Sequence, residues 1–218
     1  MSVKVGIIDF GLGNLFSIKN ACQQVGLETV ITADPKVIKM VDALILPGVG
    51  AFSDAMNELI EKNITSAIFE FVKTGKSFLG ICLGMQLLFS ESEEFGNSKG
   101  LDLIKGKIVK FPAFNGEGVK TRVPQIQWNQ IYSADDKRWG KSSLKNILEG
   151  TYMYFVHSYY AIPKDRDVIL SKSLYGGIRY ASAVVKDNIT AYQYHPEKSG
   201  KEGLKVYKNW ANQIKKKT

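Results

Sequence analysis

The chain has 218 residues, is 44% hydrophobic, and carries 29 basic against 21 acidic side chains for a net charge of +8. That length supports a sizeable core in a single domain over residues 1–218, and no apolar run approaches the roughly twenty residues of a membrane span. Two cysteines, Cys22 and Cys82, and two histidines, His157 and His195, exclude a disulfide framework and a zinc site, and they point to a reducing cytoplasm.

The opening "MSVKVGIIDFG" has neither the basic leader nor the long apolar stretch of a signal peptide. It reads as a strand, "VKVGIID", followed by a glycine turn and the helical "NLFSIKNACQQVG". A short strand "ETVIT" comes next, then a helix "DPKVIKMVD" opened by Asp-Pro, then the strand "ALILPG". The stretch "AFSDAMNELIEKNITSAIFEFVKTG" has helical spacing with a break near Asn63. The strand "SFLGI" leads into a helix expected to run through "LGMQLLFSESEE". Strands alternating with helices predict a parallel sheet covered on both faces.

Beyond about Gly100 the pattern turns to strands: "LIKGKIVKF", "PQIQWNQIY", "YMYFVHSYYA", "SAVVKD" and "ITAYQYH", the last two joined by a hairpin turn at Asp187-Asn188. A final helix, "EGLKVYKNWANQIKK", closes the series, and the terminal lysines read as a solvated tail. The expected fold class is α/β, a central, mostly parallel sheet flanked by helices with an antiparallel extension. The basic side chains are scattered rather than set in a stripe with aromatics, so neither nucleic acid nor a membrane is expected as a partner.

Two glycine-rich turns follow early strands. "DFGLGNLF" lacks the third glycine of a dinucleotide fingerprint, because Phe16 occupies that place. "LILPGVGAF" ends the third strand with Gly48 and Gly50. It reads either as a tight turn or as a nest of backbone N–H groups at the carboxyl edge of the sheet, where sites in such sheets lie.

The run Gly80-Ile81-Cys82-Leu83-Gly84 has the spacing of a nucleophile elbow, with cysteine in place of serine. A sharp strand-to-helix turn strains the nucleophile's backbone and leaves no room for side chains on either flank. The helix start is expected to favour the Cys82 thiolate, and the Leu83 N–H to serve as an oxyanion donor. Cys22 lies within an amphipathic helix and reads as structural. For a base, His195 ends a strand and is followed by Pro196 and Glu197, so Cys82, His195 and Glu197 form a candidate nucleophile, base and orienter. His157, among aromatic residues, reads as a packed, hydrogen-bonded histidine.

With these residues in place, "GICLGMQLLF" and "YQYHPEKSG" resemble the two signature segments of class I, triad-type glutamine amidotransferases. "DFGLGN", "LPGVGAF", "YFVHSYY" and "HPEKSGKEGL" are similar to segments of the glutaminase subunits of imidazole glycerol phosphate synthases. The likeness spans residues 4 to about 210. It implies hydrolysis of glutamine to glutamate and ammonia without a metal or cofactor: Cys82 attacks the amide, His195 moves the protons, Glu197 orients His195, and Gly50 and Leu83 hold the oxyanion. It further implies a glutamine pocket lined by Gly48, Gln86, His157, Ser158 and Tyr159. The ammonia would pass to a (β/α)8-barrel cyclase in a heterodimer, with Asn14, Gln125, Gln127, Trp128 and Asn129 at the interface and the PGVG turn as a switch element.

One segment departs from the family pattern. Where relatives usually read "PHMGWN", this chain reads "PQIQWN", with Gln125 and Gln127 in place of histidine and glycine. Close relatives also supply ammonia to synthases that modify surface-polysaccharide sugars, so that acceptor stands as an alternative. A non-catalytic binding module is disfavoured by the intact Cys82, His195 and Glu197. A cysteine peptidase is disfavoured by the PGVG turn and the small pocket expected.

Overall fold

The computed structural model describes residues 3–216. The first half alternates as expected: β1 (Lys4–Ile8), α1 (Leu15–Gln24), β2 (Glu28–Thr32), α2 (Pro35–Met40), β3 (Ala43–Leu46), α3 (Phe52–Glu61), α4 (Ile64–Lys73), β4 (Ser77–Ile81) and α5 (Leu83–Leu87). Local chemistry sets several of these boundaries. The Asn14 side chain caps α1 by accepting the Ser17 N–H, and Asp34 caps α2 by accepting the Lys36 N–H ahead of Pro35. Asn63, at φ 55°, breaks the long helical stretch into α3 and α4.

The second half contains β5 (Phe89–Ser92), β6 (Ser98–Lys99), β7 (Ile104–Lys110), β8 (Gln125–Ser133), α6 (Asp136–Lys141), β9 (Thr151–His157), β10 (Tyr159–Pro163), β11 (Ile169–Tyr175), β12 (Ile178–Lys186), β13 (Ile189–Tyr192) and α7 (Gly200–Lys215). Three expectations need correction here. The helix after Cys82 stops at Leu87, because Phe89–Ser92 is drawn into parallel pairing with β7. "YMYFVHSYYA" is two strands rather than one: β9 pairs with β8 and β10 with β7, and the chain changes partner at Ser158. Strand β11 and helix α6 were not anticipated. The hairpin turn at Asp187-Asn188 joins β12 to β13 as expected.

The sheet runs β2-β1-β3-β4-β13-β12-β10-β7-β5-β6, with β11, β8 and β9 branching from β12. Strands β2, β1, β3, β4 and β13 are mutually parallel; β12 runs antiparallel to β13, and β10 antiparallel to β12. Alternation along the strands sends side chains to two apolar layers. Leu44, Leu46 and Phe78 pack with Phe52 of α3 and Phe71 of α4 on one face, while Val5, Ile45 and Leu79 pack with Ile18 of α1 and Trp210 of α7 on the other. The carboxyl ends of β1, β3, β4 and β13 thus share one edge, and that edge receives the glycine turns, Cys82 and His195.

Candidate active site

Cys82 stands between β4 and α5 with φ 55° and ψ −112°, a backbone conformation that L residues avoid and that persists only where the surroundings enforce it. The enforcement is visible. The Cys82 N–H donates to the Tyr192 carbonyl at 2.7 Å, tying the elbow to β13. A Cβ on Gly84 would lie 1.9 Å from the Leu46 carbonyl oxygen, and one on Gly80 would lie 3.0 Å from Ala191 Cβ. The glycines flanking the cysteine are therefore a packing requirement. Helix α5 is only five residues long, so its dipole is weak and a nucleophile here needs support from elsewhere.

The candidate for that support is His195. The side chain is 3% exposed, and its Nδ1 lies 2.7 Å from Glu197 Oε1, whose side chain is fully buried. Its backbone N–H donates to the Tyr154 carbonyl, and Ser199 Oγ donates to the His195 carbonyl while accepting the Tyr154 N–H. These bonds pin the His-Pro-Glu turn between β9 and α7. Nδ1 is committed to Glu197, and Nε2 is buried without a hydrogen-bond partner among the described residues, available to a group that enters the site. Burial alone pulls the His195 pKa down. The charge and hydrogen bonding of Cys82, followed by those of Glu197, outweigh it and raise the imidazole to about 10. The surroundings thus favour the protonated ring at His195.

Cys82 opens into a cavity of about 230 Å³ walled by Val49, Gly50, Leu83, Gln86, Glu94, Pro124, Val156 and the 157–159 segment. The space suits a small polar molecule rather than a peptide chain. Cys82 Sγ lies 3.7 Å from the Val156 carbonyl and 3.9 Å from the Gln193 amide nitrogen. Gln86 Nε2 donates to the Tyr159 carbonyl at 2.9 Å and to Gln193 Oε1 at 3.0 Å. Gly50, at φ 106°, holds the turn after β3 in a conformation that favours glycine. The Leu83 N–H is at the first position of α5, where helical N–H groups have no intrahelical acceptor.

His157 is buried and neutral: burial lowers its pKa to about 4, and its Nδ1 is 2.8 Å from the Tyr159 carbonyl. It is a packed histidine, as its aromatic setting suggested. Cys22 is fully buried, and burial pushes its thiol up to about 12, which keeps it unreactive.

Two residues sit elsewhere than expected. Gly48 does not reach the cavity wall. It is buried beneath Leu83, where a Cβ would come within 3.0 Å of Leu83 Cβ, so it serves the packing of the elbow. Gln125 is fully buried with its side chain on Tyr180, so it cannot present itself to a partner. The pleat explains the error: alternate residues of β8 face opposite ways, and Gln125 takes the inward side. Ile126, Gln127 and Trp128 are exposed, Asn129 is half-buried with its amide on the Leu174 carbonyl, and the half-buried Asn14 is occupied with capping α1.

Glu94 was missed by sequence reasoning. Within "SESEEFG" it looks like one more solvated carboxylate, but the early end of α5 folds it onto the cavity, where it accepts the Phe52 N–H at 2.7 Å. Burial raises its pKa, opposed by that hydrogen bond. Gln193, between Tyr192 and Tyr194 just past the end of β13, gave no signal beyond being a polar residue in an apolar run.

Comparison with known proteins agrees with this geometry. The model of the "Glutamine amidotransferase class-I" family matches residues 6–214. The chain belongs to the class I glutamine amidotransferase family. Similar proteins include the imidazole glycerol phosphate synthase subunits HisH of Sulfurimonas denitrificans, 46% identical over 206 residues (94% of this chain and 96% of the relative), and of Aquifex aeolicus, 44% identical over 213 residues (97% and 98%). The HisH subunit of a Geobacillus species is 44% identical over 210 residues, 96% of this chain and 97% of the relative. Among solved structures, PurLQS from Thermotoga maritima shares the class I amidotransferase fold at TM-score 0.72 and 19% identity, with 98% of this chain and 100% of that one covered.

Proposed function

We propose that this amidotransferase is the glutaminase subunit of an imidazole glycerol phosphate synthase, which hydrolyses glutamine to glutamate and ammonia for histidine biosynthesis. The observation that carries the reading is the strained Cys82 at the mouth of a small cavity, together with a buried His195 that Glu197 holds at 2.7 Å. The near-full-length likeness to HisH subunits supports the choice of pathway.

In this reading the substrate's amino-acid end meets Glu94, whose carboxylate takes the ammonium group, and the backbone of Ser158 and Tyr159. The Cys82 thiolate attacks the side-chain amide carbon, and the oxygen that gains charge is met by the N–H groups of Leu83 and Gly50. His195 gives its Nε2 proton to the departing nitrogen, so ammonia leaves as the C–N bond breaks and a glutamyl thioester remains. Water then adds to the thioester. His195 accepts its proton, and glutamate departs as the C–S bond breaks and the thiolate is restored. Glu197 keeps the imidazole in orientation through both steps.

The ammonia goes to a partner subunit, proposed to be a (β/α)8-barrel cyclase, and the chain works in the cytoplasm. The outward face of β8 and β9, with Ile126, Trp128 and Tyr152 at 59, 49 and 55% exposure, is the proposed seat of that partner. Gln125 faces inward, so of the two departures from the family pattern only Gln127 is exposed to a partner. The test is glutamate release by the purified chain, alone and with the histidine-pathway cyclase of the same cell and its ribotide. Strong stimulation by the liganded cyclase is expected, along with complete loss in Cys82→Ala. Glutamate release by Cys82→Ala refutes the nucleophile, and indifference to the cyclase refutes the pathway.

A further inference from the structure

Gln125 and His157 lie directly opposite each other on β8 and β9, both side chains inward and buried. Tyr180 of β12, also buried, reaches between them. Its hydroxyl is 3.0 Å from Gln125 Oε1 and 3.4 Å from His157 Nε2. The protons of this group can be assigned by elimination. The Tyr159 carbonyl can only accept, so His157 Nδ1, 2.8 Å away, carries the ring proton, and Nε2 of the neutral ring presents a lone pair. Burial keeps Tyr180 protonated, so a single O–H faces two acceptors. Ser173 spends its one proton on the Gln130 carbonyl, and Asn129 gives one of its two to the Leu174 carbonyl; its second can reach only the Tyr180 oxygen, so neither residue supplies a proton to His157 Nε2.

If the Tyr180 proton goes to Gln125 Oε1, the result is poor. Gln125 Nε2 has no partner and leaves its N–H groups in the interior, while His157 Nε2 has no donor. The two ends of an amide have the same shape, so turning the group over costs no packing. Its N–H then donates to the Tyr180 oxygen, and the Tyr180 proton is released to His157 Nε2. All donors now point one way, from Gln125 to Tyr180 to His157 to the Tyr159 carbonyl. That carbonyl also receives Gln86 Nε2, and both Tyr159 and Gln86 form the wall of the cavity.

We infer that Gln125, acting through Tyr180 and His157, is a positioning residue that fixes the Tyr159 stretch of the substrate pocket and thereby sets the affinity for glutamine. The inference rests on the glutaminase reading for its substrate, but not for its hydrogen-bond chain. Gln125 touches no substrate. It lies on the same strand as the exposed Ile126 and Trp128, so the outer face of β8 and the pocket wall are joined through one strand and three side chains.

The experiment combines kinetics with histidine NMR. Glutamine hydrolysis is measured in the full chain and in its two-subunit complex for Gln125→Met, Tyr180→Phe, the double variant and Gln125→His, whose ring N–H can replace the amide donor. Each of the first two is expected to raise KM about tenfold with kcat little changed. The double variant should be no worse than either single, because both cut the same chain, and Gln125→His should recover most of the KM. In ¹⁵N spectra His157 should hold its proton on Nδ1 in the wild type and in Tyr180→Phe alike, while the Nε2 resonance should shift in Tyr180→Phe as its hydrogen bond is lost. An unchanged KM in folded Gln125→Met and Tyr180→Phe overturns the positioning role, as do additive effects. An Nε2 proton on wild-type His157 overturns the chain of donors. If the wild type does not hydrolyse glutamine at all, the proposed function fails, and the tautomer measurement still decides the hydrogen-bond chain.

Discussion

Removing the Cys82 sulfur should discharge His195. In the native site the imidazole is raised from an ordinary 6.5 to about 10 although burial works against it, and Cys82 is the strongest group opposing burial. That rise corresponds to about 5 kcal/mol in favour of the imidazolium. An opposite charge in contact accounts for about one to three pH units of such a rise. In Cys82→Ala only Glu197, 2.7 Å from Nδ1, remains to hold the proton, and the titration midpoint should fall by that amount. Cys82→Ser should behave similarly, because a hydroxyl does not ionise in this range. The assay is an NMR pH titration of the histidine rings. With only two histidines in the chain, and His157 titrating near 4, a midpoint between pH 6 and 10 belongs to His195. A midpoint that stays near 10 in Cys82→Ala would show that Cys82 is not the counter-charge, and the thiolate–imidazolium pair would have to be abandoned.

Two further substitutions probe the supports of the site. A Cβ at Gly203 would lie 1.9 Å from the Pro196 carbonyl oxygen, so Gly203→Ala should push α7 off the turn that carries Glu197. It should cost about 1–3 kcal/mol in urea unfolding and lower glutamate release; full stability would mean that α7 does not constrain the turn. Glu94→Gln keeps an acceptor for the Phe52 N–H but removes the charge proposed to meet the substrate ammonium. KM for glutamine should rise by roughly ten- to hundredfold with kcat little affected, and an unchanged KM would remove Glu94 from the pocket's chemistry.

The limits of sequence reading are clearest on β8 and after Cys82. "PQIQWN" alternates polar and apolar residues, and the alternation alone does not say which set faces inward. Pairing with β9 decides it, and the decision sends Gln125 to the interior and Ile126 and Trp128 to the surface. Similarly, "LGMQLLFSESEE" has the apolar spacing of a helix. Tertiary pairing of Phe89–Ser92 with β7 overrides that local preference, and the override is what delivers Glu94 to the cavity.

The sequence by itself determined the elements whose causes are local. The βα alternation, the break at Asn63, the Asp187-Asn188 hairpin, the glycines around Cys82 and the proline after His195 each act through backbone geometry within a few residues of themselves. The pairing of Glu197 with His195 belongs here too, since only Pro196 separates them. What only the tertiary structure decided depends on groups brought together from distant parts of the chain. These are the approach of Cys82 to His195, the burial that makes their charges matter to one another, the entry of Glu94 into the pocket, and the single proton of Tyr180 between two acceptors. Such contacts follow from strand order and register, which set distances between residues a hundred positions apart that no local pattern encodes.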